Sequence, residues 1–159
     1  MAELNLDEID LQILNRLQHD GRVTNVELAQ SVGLTAPPCL RRMRALEDDG
    51  IITAYHAAID PIKMGYTITV FAMVSLKSQA EADLQAFEDH VQGLPEVRDC
   101  YMLNGEIDFM LKVVAKDLQQ FQKFLTSNLT SAPNVASVKT SLTIRSAKHE
   151  PGVPIDIGL

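Results

Sequence analysis

The chain has 159 residues, 46% of them apolar and 22% charged, with eight Gly, seven Pro, two Cys and no Trp. Aliphatic residues spread along its whole length exclude wholesale disorder and leave room for one large or two small domains, and no run approaches the roughly 18 apolar residues of a membrane span. Formal net charge is −7 and the sequence pI about 5.0, which taken globally argues against nucleic-acid or anionic-lipid partners until the position of each charge is considered.

Cys39 and Cys100 lie 61 positions apart with no Cys-x-x-Cys spacing and no His pattern nearby. Neither a disulfide scaffold nor a metal site is expected, and a reducing compartment is the simpler setting. Acids in Met1 to Asp10 stand where a signal peptide would carry bases, so a soluble cytoplasmic protein is expected.

Asp7 is a cap for a first helix with Asp10 at its third position, Leu6 and Leu11 forming a hydrophobic staple around it. Ile9, Ile13, Leu14 and Leu17 recur at helical spacing up to a stop at Gly21. Thr24 and Glu27 form a capping box for a second helix of about eight residues, which Gly33 ends. Thr35 caps a third, with Pro37 and Pro38 in its first turn, where missing N–H groups cost little; it runs to about Asp49-Gly50. Three short helices with a Gly-containing turn between the last two form a helix-turn-helix, expected over about residues 25–44.

On a helical projection Cys39, Leu40, Met43 and Leu46 share the packed side of the third helix, while Arg41, Arg42, Ala45 and both prolines point away and Arg44 flanks them. Residues 1–60 hold five bases against ten acids, yet from Gly21 to Leu46 there are four Arg and one acid. Three arginines on an outer helix face ordinarily do no more than solvate it. The tight turn, the capping boxes and the scarcity of acids together favour major-groove reading, in which guanidinium forks meet phosphates or guanine edges. The candidate DNA contacts are Asn25, Thr35, Pro37, Pro38, Arg41, Arg42 and Arg44. The β-prone stretch Ile51 to Ile59 is expected to add a short wing or linker strand, ended by Asp60-Pro61.

Beyond residue 61 a shift of 38 positions superposes Phe71 on Phe109, Met73 on Leu111, Phe87 on Leu125, Val91 on Leu129, Pro95 on Pro133 and Val97 on Val135. Each copy is strand, helix, strand: Tyr66–Lys77, a helix capped by Ser78 with Glu81, and Val97–Leu103; then Phe109–Ala115, a helix capped by Asp117 with Gln120 and bearing Leu118, Phe121, Leu125 and Leu129, and Val135–Ile144. Two such units make a ferredoxin-like βαββαβ sandwich over 61–149, leaving 150–159 as a non-helical tail around Pro151, Gly152 and Pro154. The overall class is α+β. The first strand is apolar on both sides, so a second copy packing sheet on sheet is expected, giving a homodimer with two DNA-reading units. Between the repeats, Asn104-Gly105 is a strong turn signal that needs no further role. Its glycine would also let a ligand carboxylate approach the backbone while Asp108 holds an ammonium, which suits a free amino acid.

These residues together resemble the leucine-responsive regulator/asparagine regulator (Lrp/AsnC) family of transcription factors, over Leu6 to about Lys148. The resemblance rests on Leu6-Asp7-Glu8-Ile9-Asp10, Val32-Gly33-Leu34, Pro38-Cys39-Leu40-Arg41-Arg42, Leu46-Glu47, Gly50-Ile51-Ile52, Gly105-x-x-Asp108-Phe109 and Pro133-Asn134-Val135. It implies an N-terminal domain that binds double-stranded DNA, and a C-terminal domain that assembles dimers, often octamers, and senses a free amino acid. It also implies effector contacts at Met102, Leu103, Asn104, Gly105 and Asp108, with Glu106, Thr140 and Ser141 added by proximity. Met102 and Leu103 suggest an aliphatic ligand, leucine or methionine, and Glu106 and Asp108 disfavour an acidic one. The rivals are a structural assembly protein and a small ferredoxin-like hydrolase; no nucleophile–base set or Gly-rich phosphate loop supports the latter, and no cofactor is expected.

Overall fold

The computed structural model describes residues 6–157. Two compact units form: one comprises residues up to Ile59 together with the segment from Lys148 onward, the other Asp60–Ala147.

In the first unit α1 spans Glu8–His19, α2 Asn25–Ser31 and α3 Ala36–Asp48. Both expected capping boxes form. Asp7 accepts from the Asp10 N–H at 2.9 Å and Thr24 from that of Glu27 at 3.2 Å, each third-position carboxylate reaching back to its cap. Thr35 takes up the cap conformation of α3 without a side-chain hydrogen bond. The turn between α2 and α3 needs a left-handed residue, which Gly33 supplies at φ 70°, and the Leu34 N–H closes it on the Ala29 carbonyl at 2.8 Å. Ile13, Leu17, Leu28, Ala29, Cys39 and Leu46 are buried between the helices.

After Gly50 the N–H groups of Ile51 and Ile52 both return to the Leu46 carbonyl, and this brings the two isoleucines onto the helical core. The strand expected over Ile51–Ile59 does not form: residues 53–60 pair with no other strand, and β propensity without a ladder partner makes no strand. The tail from Lys148 groups with this unit, with Ile155 and Ile157 half-buried.

The second unit runs β1 Ile68–Leu76, α4 Glu81–Gln92, β2 Val97–Met102, β3 Phe109–Ala115, α5 Leu118–Phe124 and β4 Val135–Leu142, α5 continuing as a π-helical segment over Leu125–Thr130. All pairings are antiparallel in the order β2-β3-β1-β4, the ferredoxin-like βαββαβ arrangement. Val70, Ala72, Val74 and Leu76 of β1 and Phe109, Leu111, Val113 and Ala115 of β3 face the helices and are buried. Phe87 of α4 tilts against Phe109 with centroids 4.8 Å apart.

Three local expectations are corrected. Ser78 does not cap α4; the cap position is Ala80, whose N–H donates to the Ser78 hydroxyl at 3.3 Å, so no box with Glu81 forms. The 38-residue repeat has the wrong parity in its first strand, because Phe71 lies on the open face and Phe109 on the buried one; a shift of one residue exchanges the faces. Leu118 is exposed, and the core positions beyond it are Phe121, Phe124 and Leu129. The chain reversal expected at Asn104-Gly105 does form, closed by the Leu103 N–H on the Asp108 carbonyl at 2.8 Å with neither residue at positive φ.

Candidate nucleic-acid interface and effector site

The start of α3 is fixed from α2. Asn25 Nδ2 donates to the Ala36 carbonyl at 2.9 Å, so this half-buried side chain braces the turn while its Oδ1 stays buried without a partner. Thr35 and Pro37 are exposed and Pro38 is half-buried beside them. Further along, Arg41, Arg44 and Ala45 are exposed.

Arg42 does not point out as the projection places it. Its Nη1 donates to Asp7 Oδ2 and to Asp10 Oδ1, both at 2.7 Å, with the side chain 33% exposed and that of Asp10 14%. The projection lacked these partners, which lie 35 and 32 positions away. The backbone N–H of Asp10 and then the Arg42 guanidinium hold the Asp7 carboxyl below the usual carboxylate range, and the same pairing holds Arg42 more firmly protonated, Asp10 contributing first.

In the second unit Met102, Leu103, Asn104, Gly105 and Glu106 are exposed, Met102 to 60%, at the loop joining β2 and β3. A Cβ at Gly105 would touch nothing within 4 Å, so the loop is open there. Asp108 is more constrained. Its N–H donates to the Val74 carbonyl at 3.0 Å, and its Oδ2 accepts from the Leu76 N–H at 2.6 Å and from Gln79 Nε2 at 3.5 Å. One carboxylate oxygen thus ties the loop to the end of β1, a role that sequence spacing does not disclose. Thr140 and Ser141 pair with Ala72 and Phe71 on β4. They face opposite sides of the sheet at the edge away from β2, so one protomer does not bring them to the loop. A concavity of about 310 Å³ opens beside Met102 between α4 and β2, walled by Glu88, Val91, Leu94, Val97 and Cys100. Burial, then Glu88, pushes the Cys100 thiol up to about 11, which makes it a poor nucleophile. Among the described residues no cluster of His, Cys, Asp and Glu could hold a metal ion, and no helix is long and apolar enough to cross a membrane.

Residues 6–53 match a winged helix-turn-helix DNA-binding family, and residues 69–153 match the Lrp/AsnC ligand-binding domain. The chain belongs to the Lrp/AsnC family. The leucine-responsive regulatory protein of Rhizobium meliloti is 48% identical over 148 residues, covering 93% of this chain and 95% of that protein. The Bkd operon transcriptional regulator of Pseudomonas aeruginosa is 41% identical over 155 residues, 98% of this chain and all of that one. Among solved structures, a transcriptional regulator of Neisseria meningitidis in complex with L-methionine superposes with a TM-score of 0.92 at 35% identity, covering 98% of this chain and 100% of the other. An AsnC family regulator of Agrobacterium tumefaciens gives 0.89 at 30% identity, covering 97% and 100%. This Lrp/AsnC chain is therefore a DNA-binding transcriptional regulator with an amino-acid-binding domain, and its relatives are regulators, not enzymes.

Proposed function

We propose that the chain is a cytoplasmic, homodimeric regulator whose assembly or DNA affinity responds to an aliphatic amino acid, methionine or leucine. The observation that carries the effector class is the pairing of apolar Met102 and Leu103 with an open backbone at Gly105 and a half-buried carboxylate at Asp108. The Asp108 Oδ1 is left to receive an ammonium, loop N–H groups meet the carboxylate, and the apolar side chains take the aliphatic part. The Neisseria relative bound to L-methionine supports this reading. Glu106 and Asp108 repel an acidic side chain.

Dimerisation is supported by the sheet face that carries no helix. Phe71, Met73, Met110, Val114 and Tyr101 are wholly or partly exposed there, joined by a Lys112–Asp99 ion pair at 3.5 Å. A second copy laid sheet on sheet removes this surface from water. Thr140 and Ser141 then belong to the effector site only where another copy's loop meets β4, and this favours assembly of dimers into octamers. On DNA, Arg41 and Arg44 with Thr35, Pro37 and Pro38 form the reading surface, with Asn25 bracing it.

The test is isothermal titration of the full chain with each common amino acid, paired with footprinting of the region upstream of its own gene. Heat with methionine or leucine, none with aspartate or glutamate, and a footprint altered by the same ligand are expected. No heat with any amino acid would sink the sensing claim. Sedimentation that shows a monomer would sink the sheet-on-sheet dimer.

A further inference from the structure

The four carboxylate oxygens of Asp7 and Asp10 are all engaged. Asp7 Oδ1 and Asp10 Oδ2 accept the two backbone N–H groups of the capping box, while Asp7 Oδ2 and Asp10 Oδ1 accept the single Nη1 of Arg42. The helix cap and the grip on Arg42 are thus one network, and it joins the first turn of α1 to the middle of α3. At 3.6 residues per turn, Arg41 and Arg44 lie about 100° and 160° round α3 from Arg42, with Pro37 between them. Drawing Arg42 inward against α1 therefore turns a Pro37–Arg41–Arg44 stripe outward, and all three residues are exposed. The other end of α3 is already held from α2 by Asn25 and by the Leu34–Ala29 turn.

We propose that Arg42 is a positioning residue rather than a DNA contact: Asp7 and Asp10 hold it so that the rotation of α3 presents Arg41 and Arg44 to the groove. Base reading through a guanidinium fork depends on helix rotation, because the fork must reach O6 and N7 of a guanine in one plane. A phosphate contact tolerates far more rotation and carries no sequence information. Loss of the grip consequently reduces discrimination between DNA sequences more than overall attraction to DNA.

The test uses the full chain, a labelled duplex of the region upstream of its own gene and a shuffled duplex of equal composition. Affinities are measured over a range of KCl for wild type, R41A, R44A, R42A, D10N and the double variant D10N/R42A. The temperature is one at which each variant keeps the wild-type helical signal. R41A and R44A are expected to cut the preference for the upstream duplex by at least tenfold, as loss of a base-reading fork does, and to flatten the salt dependence by about 0.9 for each phosphate no longer neutralised. R42A and D10N should leave that slope unchanged and cut the preference for the upstream duplex by about tenfold. The double variant should be no worse than R42A alone, because both changes break one network. D10N makes the protein less acidic, so its loss of affinity runs against the direction that charge alone predicts. Tighter binding by D10N with a steeper slope, or a slope flattened by R42A as much as by R41A, would show that Arg42 itself meets phosphate and would overturn the proposal. D10N remains informative if R42A fails to fold, since its Asn side chain keeps a capping oxygen. Equal binding to both duplexes by the wild type would count against reading of this region and not against the network, which the coupling between D10N and R42A in urea unfolding reports separately; no coupling there would overturn it.

Discussion

The side-chain amide of Gln18 pairs with the backbone of Val153 across 135 positions of sequence: Nε2 donates to the Val153 carbonyl at 3.1 Å and Oε1 accepts its N–H at 3.3 Å. Beside this pair Gly152 has φ 65°, and a Cβ there would run into the Gln18 amide. Two requirements thus meet at one glycine.

Gln18→Ala is expected to lower the stability of the helical unit by ~1 kcal/mol, the usual net worth of such hydrogen bonds. Gly152→Val should cost more, about 2 kcal/mol, because it adds backbone strain and displaces Gln18. Urea unfolding followed by the helical circular dichroism signal measures both; equal or negligible effects would mean that the tail does not support α1.

The capping acids give the same unit an acid limit. The Thr24 N–H and then its hydroxyl hold the Glu27 carboxyl below its ordinary value, as the Asp10 N–H and Arg42 do for Asp7. Folded values below unfolded ones mean that this stabilisation is complete above the unfolded values, near pH 4, and disappears as pH falls through the folded values. Asp7→Asn and Glu27→Gln should each lower the plateau of a melting-temperature profile above about pH 4 and converge with wild type at acid pH, which flattens the acid limb.

Tyr55 sets a contrasting alkaline signature. Burial first, and then its hydrogen bond to Glu47 Oε1 at 2.8 Å, raise its phenol to about 12. The fold favours the protonated phenol, so stability linked to it is present below the unfolded value near 10 and is lost as pH rises towards 12. Ultraviolet titration should find a phenol still protonated at about pH 11, absent in Tyr55→Phe and shifted down in Glu47→Gln.

Asp108 allows a structural role to be separated from ligand binding. Asp108→Ala leaves the Leu76 N–H without its acceptor and should destabilise the sheet unit by about 1–3 kcal/mol. Asp108→Asn keeps an oxygen for that N–H and removes the charge, so it should stay folded and lose heat with methionine or leucine. If Asp108→Asn bound as wild type does, the ammonium would have another partner.

Legibility from sequence followed the range of each interaction. The capping boxes at Asp7 and Thr24 and the glycine turn at Gly33 are complete within a few residues, and all three could be read directly. A projection of α3 alone turns Arg42 outward, because it holds no information about partners more than 30 positions upstream. Ser78 does not cap because its hydroxyl accepts the Ala80 N–H at 3.3 Å instead, while Asn134 Nδ2, from the far end of the unit, holds its carbonyl at 2.9 Å. The stretch after Ile51 has strand composition and no ladder, and pairing is not a property of one segment. The Asn104–Asp108 loop is legible from its motif, yet the tie from Asp108 to Leu76 is visible only once β1 and β3 lie side by side.

The return of the chain from Lys148 to the first unit has a consequence for synthesis. The helices α1 to α3 leave the ribosome first and contain the contacts to collapse early, but the partner of Gln18 is made only after β4. The DNA-reading unit therefore acquires its last support after the sensor sheet has been synthesised. A chain interrupted within the sensor would carry all three helices and lack that support, so completion of one function waits on translation of the other.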